Sequence, residues 1–220
     1  LYTNKLLFLS KLHCLFMDFK KVNFNTVKFL ISAQTLQQCP ADTGSEIAFA
    51  GRSNAGKSSA INTLTRNKSL ARTSKTPGRT QLINHFELTP ESRLVDLPGY
   101  GYAKVPKEIK AKWDRNLAEY LQNRNSLCGL VLLLDIRHPL QDFDRQMLNW
   151  AAQAGLPVHI LLTKADKLKR GPAMSSLLGV EKLLRDMDPG FTILSAQIFS
   201  SLKKTGLEEL EKKLASWLED

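Results

Sequence analysis

One octapeptide limits what this chain can fold into. Gly51-Arg52-Ser53-Asn54-Ala55-Gly56-Lys57-Ser58 satisfies the pattern G-x-x-x-x-G-K-[ST] at every fixed position. Its flanks fit as well. Glu46 to Ala50 reads as a short buried strand, and Ser59 to Leu64 reads as the opening of a helix. A strand that runs through glycines into a helix N-terminus makes an anion site. Unpaired backbone N–H groups and the positive end of the helix dipole converge there. Glycine lets the backbone approach a ligand with no Cβ in the way. Lys57 is expected to be an exposed loop lysine that reaches the β- and γ-phosphates, and the Ser58 hydroxyl to hold Mg²⁺. A chance match in a glycine turn is the alternative, and it accounts for neither flank.

A second signal lies downstream. The strand Arg93-Leu94-Val95 ends in Asp96-Leu97-Pro98-Gly99. An aspartate at the end of an apolar strand, after a phosphate loop, is the expected place for a carboxylate that helps hold Mg²⁺. The Gly99 backbone N–H is placed to meet the γ-phosphate. D-x-x-G alone is a weak pattern and gains its meaning from the loop before it.

The rest of the chain alternates strands and helices. Val27 to Ile31 fits an edge strand or a short turn. Arg72 to Thr80 is polar, basic and broken by Pro77-Gly78, so a loop is expected. Gln81 to Leu88 alternates as a strand with one buried face. Pro106 to Arg124 reads as a helix with Ile109, Trp113, Leu117, Tyr120 and Leu121 on one side. Gly129–Leu134 and Pro157–Leu162 are continuous apolar runs, as strands covered on both faces are. Helical spacing recurs over Asp142–Ala152 and Ala173–Met187. Phe191–Phe199 is a last strand region, and Thr205-Gly206-Leu207-Glu208 reads as a capping box before a final helix. This pattern predicts an α/β fold with a mostly parallel central sheet, helices on both faces and ligand loops at the strand C-termini.

Composition bounds the partners. A chain of 220 residues, 43% hydrophobic and 24% charged, builds one sizeable core and is short for two. A net charge of +10 points to a polyanion, either nucleic acid or an anionic membrane surface; a basic surface with no partner is the alternative. Cys14, Cys39 and Cys128 show no disulfide framework, which fits a reducing compartment. The four histidines form no metal-ligand spacing and are expected to be surface or packed residues. No apolar run is long enough to cross a bilayer. Residues 1–23 read as an N-terminal extension and 24–220 as one domain. Residues 1–16 carry no initiator methionine, so Met17 is expected to be the natural start; the alternative is an amphipathic membrane-surface segment.

Thr163-Lys164-Ala165-Asp166 follows a buried strand and selects the base. A carboxylate at Asp166 accepts from both N1–H and the 2-amino group of guanine, and adenine has neither donor on that edge. The Lys164 stem can lie along the flat face of the base. An incidental T-K-x-D on a surface turn is the competing explanation. The order of the three motifs speaks against it.

The ordered set G-R-S-N-A-G-K-S, T-P-G-R-T-Q, D-L-P-G-Y-G-Y and T-K-A-D, with F-S-S-L-K-K-T-G near the end, resembles the EngB (YihA/YsxC) family of bacterial GTPases from about residue 24 onward. The resemblance implies a Ras-like P-loop G domain that binds GTP and GDP with Mg²⁺ and hydrolyses GTP slowly. It also implies a cytoplasmic, monomeric assembly factor for the large ribosomal subunit or its rRNA, needed for normal growth or division. Carried over by position, the phosphate loop is Gly51 to Ser58, with Ser59 beside it. The switch-one threonine on Mg²⁺ is Thr80, with Gly78 and Arg79 next to it and Thr76 as a near competitor. Asp96, Leu97, Pro98 and Gly99 form switch two. Thr163, Lys164, Ala165 and Asp166 read the base, joined by Phe199, Ser200 and Ser201. Ser195-Ala196 is a decoy, lying upstream of the strand that delivers that last loop. Lys57, Thr80 and Gly99 are the residues expected to act on the γ-phosphate.

Two points stay open in the sequence. The position after Gly99, where Ras-type enzymes carry a glutamine, holds Tyr100, which has no amide to orient water. Asn54 either helps hold K⁺ against the phosphates, as in several related GTPases, or only shapes a turn. A P-loop small-molecule kinase and a GTP-binding scaffold without turnover are the competing functions. The sequence offers neither the acceptor site nor the lid that a kinase needs.

Overall fold

The glycine loop ends the middle strand of a seven-stranded sheet. The computed structural model describes residues 22–71, 82–100, 107–188 and 193–219, without the side chains of 107–114. Its strands are β1 (Lys28–Ala33), β2 (Ser45–Gly51), β3 (Ile83–Thr89), β4 (Ser92–Asp96), β5 (Leu127–Asp135), β6 (Val158–Thr163) and β7 (Leu194–Ile198). They lie in the order β1-β3-β4-β2-β5-β6-β7. Only β3 runs against the others, so the sheet is mostly parallel as expected. Residues 1–21 lie outside the described residues, as do Thr76, Gly78, Arg79, Thr80 and Pro106.

The helices are α1 (Lys57–Leu64), α2 (Lys107–Asn123), α3 (Asp142–Ala154), α4 (Arg170–Met187) and α5 (Leu207–Leu218). Side chains alternate across a strand, so β2 feeds two cores. Ile47 and Phe49 pack with Ile61 and Leu64 of α1 and with Leu210, Leu214 and Trp217 of α5. Ala48 and Ala50 share the other face with Leu117 and Tyr120 of α2, Leu148 of α3 and Leu184 of α4. Helices therefore cover both faces. This is why β2, β5 and β6 read as unbroken apolar runs.

Three local expectations need correction. β3 is not buried on one face only. Ile83 and His85 are as buried as Phe86 and Leu88, because Ile83 joins the core on the α2 side, with His85 near Tyr120, while Phe86 and Leu88 join the opposite core with Phe24 and Val27. The capping box at 205–208 does not form. Gly206 is the N-cap of α5 at φ 75°, without a side-chain cap, and Thr205 instead pairs with Ser200. Ser195-Ala196 is a decoy because it lies within β7 rather than upstream of it. A capping box does close α3, where Gln141 and Asp144 satisfy each other's backbone N–H groups.

Candidate functional site

At the C-terminal ends of β2, β4, β6 and β7 the structure gathers the three described motifs. Gly51 closes β2, and Arg52 to Gly56 lead into α1 at Lys57. Gly56 has φ 96° and Asn54 φ 63°, left-handed conformations that glycine and asparagine adopt most readily. Ser58 and Ser59 lie in the first turn of α1, whose free N–H groups are the anion-binding element of the fold.

Lys57 is not an exposed lysine. Its side chain is 10% exposed, and its ammonium is paired with the Asp96 carboxylate, itself 3% exposed. The cation that would meet the phosphates and the carboxylate that would assist the metal thus neutralise each other across the cleft. Leu97 and Pro98 turn their side chains into the protein, leaving only backbone groups to a ligand. Gly99 passes close to the phosphate loop: a Cβ there would stand 3.4 Å from the Ser53 Cα.

Tyr100 is stitched to the same loop. Ser53 N–H donates to Tyr100 O at 2.9 Å, and Tyr100 N–H to Gly51 O at 3.3 Å. Its phenol donates to Asp144 Oδ1 at 2.7 Å, and its ring packs on Phe143 with centroids 4.4 Å apart. Burial pushes both the Tyr100 phenol and the Asp144 carboxyl upward in pKa.

The T-K-A-D motif is tied to the phosphate loop by one hydroxyl. Thr163 Oγ1 lies 2.6 Å from Ala55 O and 3.0 Å from Leu134 O, so it bridges the loop to β5. Lys164 sits at φ 61° and donates to Asp135 Oδ2 at 2.9 Å. Ala165 N–H donates to Phe199 O at 3.2 Å. The Phe199 side chain is core, and only its backbone belongs to the site. Ser200 is fully buried and donates its hydroxyl to Asp166 Oδ1 at 2.8 Å. That hydrogen bond is the main cause holding the Asp166 carboxyl below its ordinary range. Ser201 follows, partly buried, in the turn back to Thr205.

Two site residues were not singled out from sequence. Asp135, at the end of β5, accepts from Lys164 and also pairs with Arg137 through Nε at 2.9 Å and Nη2 at 2.6 Å. The Arg137 bonds hold its carboxyl well below the usual range. Its position, the first charge after an apolar strand beside two others that end in ligand loops, was the available signal. Asp144 carried no such signal, because its partner Tyr100 lies 44 residues away.

Among the described residues no three His, Cys, Asp or Glu side chains group as a metal site. The Ser58 hydroxyl, one residue after Lys57, and the Asp96 carboxylate are hard oxygen donors, which suit Mg²⁺ held by few protein ligands and phosphate. No described helix is long and apolar enough to cross a membrane.

Phosphate loop, D-x-x-G and T-K-x-D on this sheet define a P-loop GTPase. Residues 46–164 match the family described as 50S ribosome-binding GTPase. A probable GTP-binding protein EngB of Aeromonas salmonicida (strain A449) is 58% identical over 201 residues, covering 91% of each chain. One from Yersinia enterocolitica is 56% identical over 204 residues, covering 93% of each. The chain belongs to the EngB family of GTP-binding proteins. Its fold is also similar to a crystal structure of a probable EngB protein, with TM-score 0.63 and 22% identity over 80% of this chain and 99% of that one. Era in complex with MgGDPNP and 16S ribosomal RNA matches with TM-score 0.59 and 21% identity, over 80% of this chain and 57% of Era.

Proposed function

We propose that this GTPase turns over slowly and serves as a cytoplasmic, monomeric assembly factor for the large ribosomal subunit, needed for normal growth or division. The observation that carries the nucleotide half is the Thr163–Ala55 bridge together with the Ser200–Asp166 bond. They lock base-reading and phosphate-reading loops into one site. GTP would lie with its phosphates over Gly51 to Ser59 and its guanine edge on Asp166, with Lys164 along the base. Mg²⁺ would be held by Ser58, with Thr80 as the second protein ligand. Bound there, it would neutralise charge on the β- and γ-phosphate oxygens. Lys57 would leave Asp96 for the phosphates, freeing that carboxylate for the metal's water shell. Thr80, with Gly78 and Arg79, and Gly99 would respond to the γ-phosphate.

Slow turnover follows from Tyr100. The residue after Gly99 is buried against Asp144 and brings no amide to an attacking water. Asn54 is the residue of the loop that would hold K⁺, which would then offset charge between the β- and γ-phosphates. Turnover at fixed ionic strength in K⁺ and Na⁺, in wild type and Asn54→Ala, tests this. Stimulation by K⁺ that vanishes in the variant supports the ion, and equal rates in both salts reduce Asn54 to a turn residue.

The ribosomal half rests on the family description and on charge. Lys167, Lys169 and Arg170 are exposed beside the base-reading loop, and Lys203 and Lys204 are exposed on the adjoining turn. Asp135 and Asp166, two described carboxylates beside the first of these stretches, are already engaged. Such a face meets RNA mainly through phosphates, and binding releases counterions. Co-sedimentation with ribosomal subunits, with a GTP analogue or GDP and across a salt series, is the test. Binding that falls steeply with salt and depends on the nucleotide supports the role. Binding indifferent to both, or phosphate appearing on an added acceptor as a kinase would place it, overturns it.

A further inference from the structure

The loops that read guanine are held by a chain of hydrogen bonds that no nucleotide motif contains. His159 on β6 stands in register with Ser195 on β7. Its Nδ1 is 2.8 Å from Ser195 Oγ, and its Nε2 is 2.8 Å from Gln197 Oε1. Gln197 Nε2 donates to Gly206 O at 2.7 Å. His159 is 3% exposed and Gln197 2%. A carbonyl only accepts, so the Gln197 NH₂ must face Gly206. That leaves Oε1 for the histidine, which therefore carries its proton on Nε2 and accepts from Ser195 on Nδ1. One tautomer and one amide orientation satisfy every partner.

Gly206 closes the turn that starts at Ser200, whose N–H donates to Thr205 O at 3.1 Å. A side chain at Gly206 would meet Ile198 O at 2.3 Å and Gln197 Nε2 at 2.4 Å, so the clasp and the glycine are matched in shape. At the other end of the turn, Ser200 donates to Asp166. The Gln197 side chain thus spans from the strand that delivers the turn to the residue that ends it.

We propose that Gln197, oriented by His159, is a positioning residue for guanine recognition. It clasps the return of the Ser200–Thr205 turn, and the turn keeps Ser200 on Asp166. The proposal rests on Asp166 being the guanine-reading carboxylate.

The test compares GDP, inosine diphosphate and inorganic pyrophosphate, each with Mg²⁺, on wild type, Gln197→Met and Gln197→Glu. Methionine keeps the bulk and loses both bonds. Glutamate keeps an acceptor for His159 but sets a carboxylate oxygen against the Gly206 carbonyl, and it serves if the first variant does not fold. We expect GDP affinity to fall about tenfold, the change that loss of one buried hydrogen bond of about 1.4 kcal/mol brings. The preference for GDP over inosine diphosphate, which lacks the 2-amino group, should narrow, while pyrophosphate affinity stays as in wild type. Unchanged GDP affinity and preference in a folded variant would overturn the proposal, and so would parallel loss of GDP and pyrophosphate. A wild-type protein that itself does not prefer GDP would instead remove Asp166 from the base site.

Discussion

Asp166 is held by a hydroxyl on one oxygen, with Lys167 Nζ 3.5 Å from the other. If it reads guanine, Asp166→Asn replaces an acceptor with a donor on the edge that meets the 2-amino group. Binding of GTP should weaken by about one to two orders of magnitude, and xanthosine nucleotides, with oxygen at that position, should bind better. Competition binding of the two nucleotides checks this, and unchanged GTP affinity would refute the assignment. Lys57 calls for a different expectation from the one its loop position suggests. Because it pairs with a buried carboxylate, Lys57→Ala should cost apo stability as well as nucleotide affinity, on the order of 1–3 kcal/mol. Adding Asp96→Asn should return part of that stability but none of the affinity. Urea melts of the single and double variants decide it; no loss in Lys57→Ala would mean the pair contributes nothing to the free protein.

Glu46, second residue of β2 at the end away from the phosphate loop, is the centre of a buried charge cluster. Its carboxylate accepts from Arg93 Nε at 2.7 Å, Arg124 Nη2 at 2.6 Å and Nε at 2.9 Å, and Tyr120 OH at 2.7 Å. Arg93 also reaches the Thr43 carbonyl and Arg124 the Ala41 carbonyl, so the cluster ties β2, β4, α2 and the preceding loop together. Glu46→Gln would leave two buried guanidiniums short of a counter-charge, at a cost of about 3–5 kcal/mol. Affinity for GDP in the folded fraction should not change, since Gly51 is a strand away. Denaturant melts beside GDP titration check both halves. The cluster also shows where sequence stops being informative. Strands and helices were legible because their apolar periodicity is local, and the three motifs of the candidate site because each is a short run of residues. Glu46 draws partners from positions 93, 120 and 124, and nothing in the spacing of these residues announces that they meet. The clasp at Gln197 and the Lys57–Asp96 pair were hidden for the same reason. The expected capping box at Thr205 failed for a different reason, because Thr205 bridges back to Ser200 across its own turn.

Across the whole molecule, the acid side of the stability curve should be set first by two histidines. His85 is fully buried, with both ring nitrogens lacking a hydrogen-bond partner and Nε2 3.9 Å from Glu46 Oε1. Desolvation pushes its pKa down to about 4, against the pull of Glu46, while Arg124 and Arg93 push it further the same way. His159 is pushed down to about 4, mainly by burial. In the unfolded chain both titrate near 6.5. Between those values the unfolded state binds protons that the folded state refuses, so stability rises with pH across the window. It is undiminished above about pH 6.5, falls as pH drops toward 4, and stops falling on this account below that. Asp144, whose carboxyl is raised by burial, works in the opposite direction. Asp42, Glu46, Asp135 and Asp166 are all held below their ordinary values, so their contribution is lost only at still lower pH. Unfolding near pH 5 should therefore take up about two protons, a slope of roughly 2–3 kcal/mol per pH unit. Urea melts at half-unit steps from pH 7.5 to 4.5 measure that slope directly. A stability that stays flat from 6.5 to 5 would mean that these histidines accept protons without leaving the fold, through water reaching the unpaired ring of His85 or through a rearranged Ser195–Gln197 pair around His159.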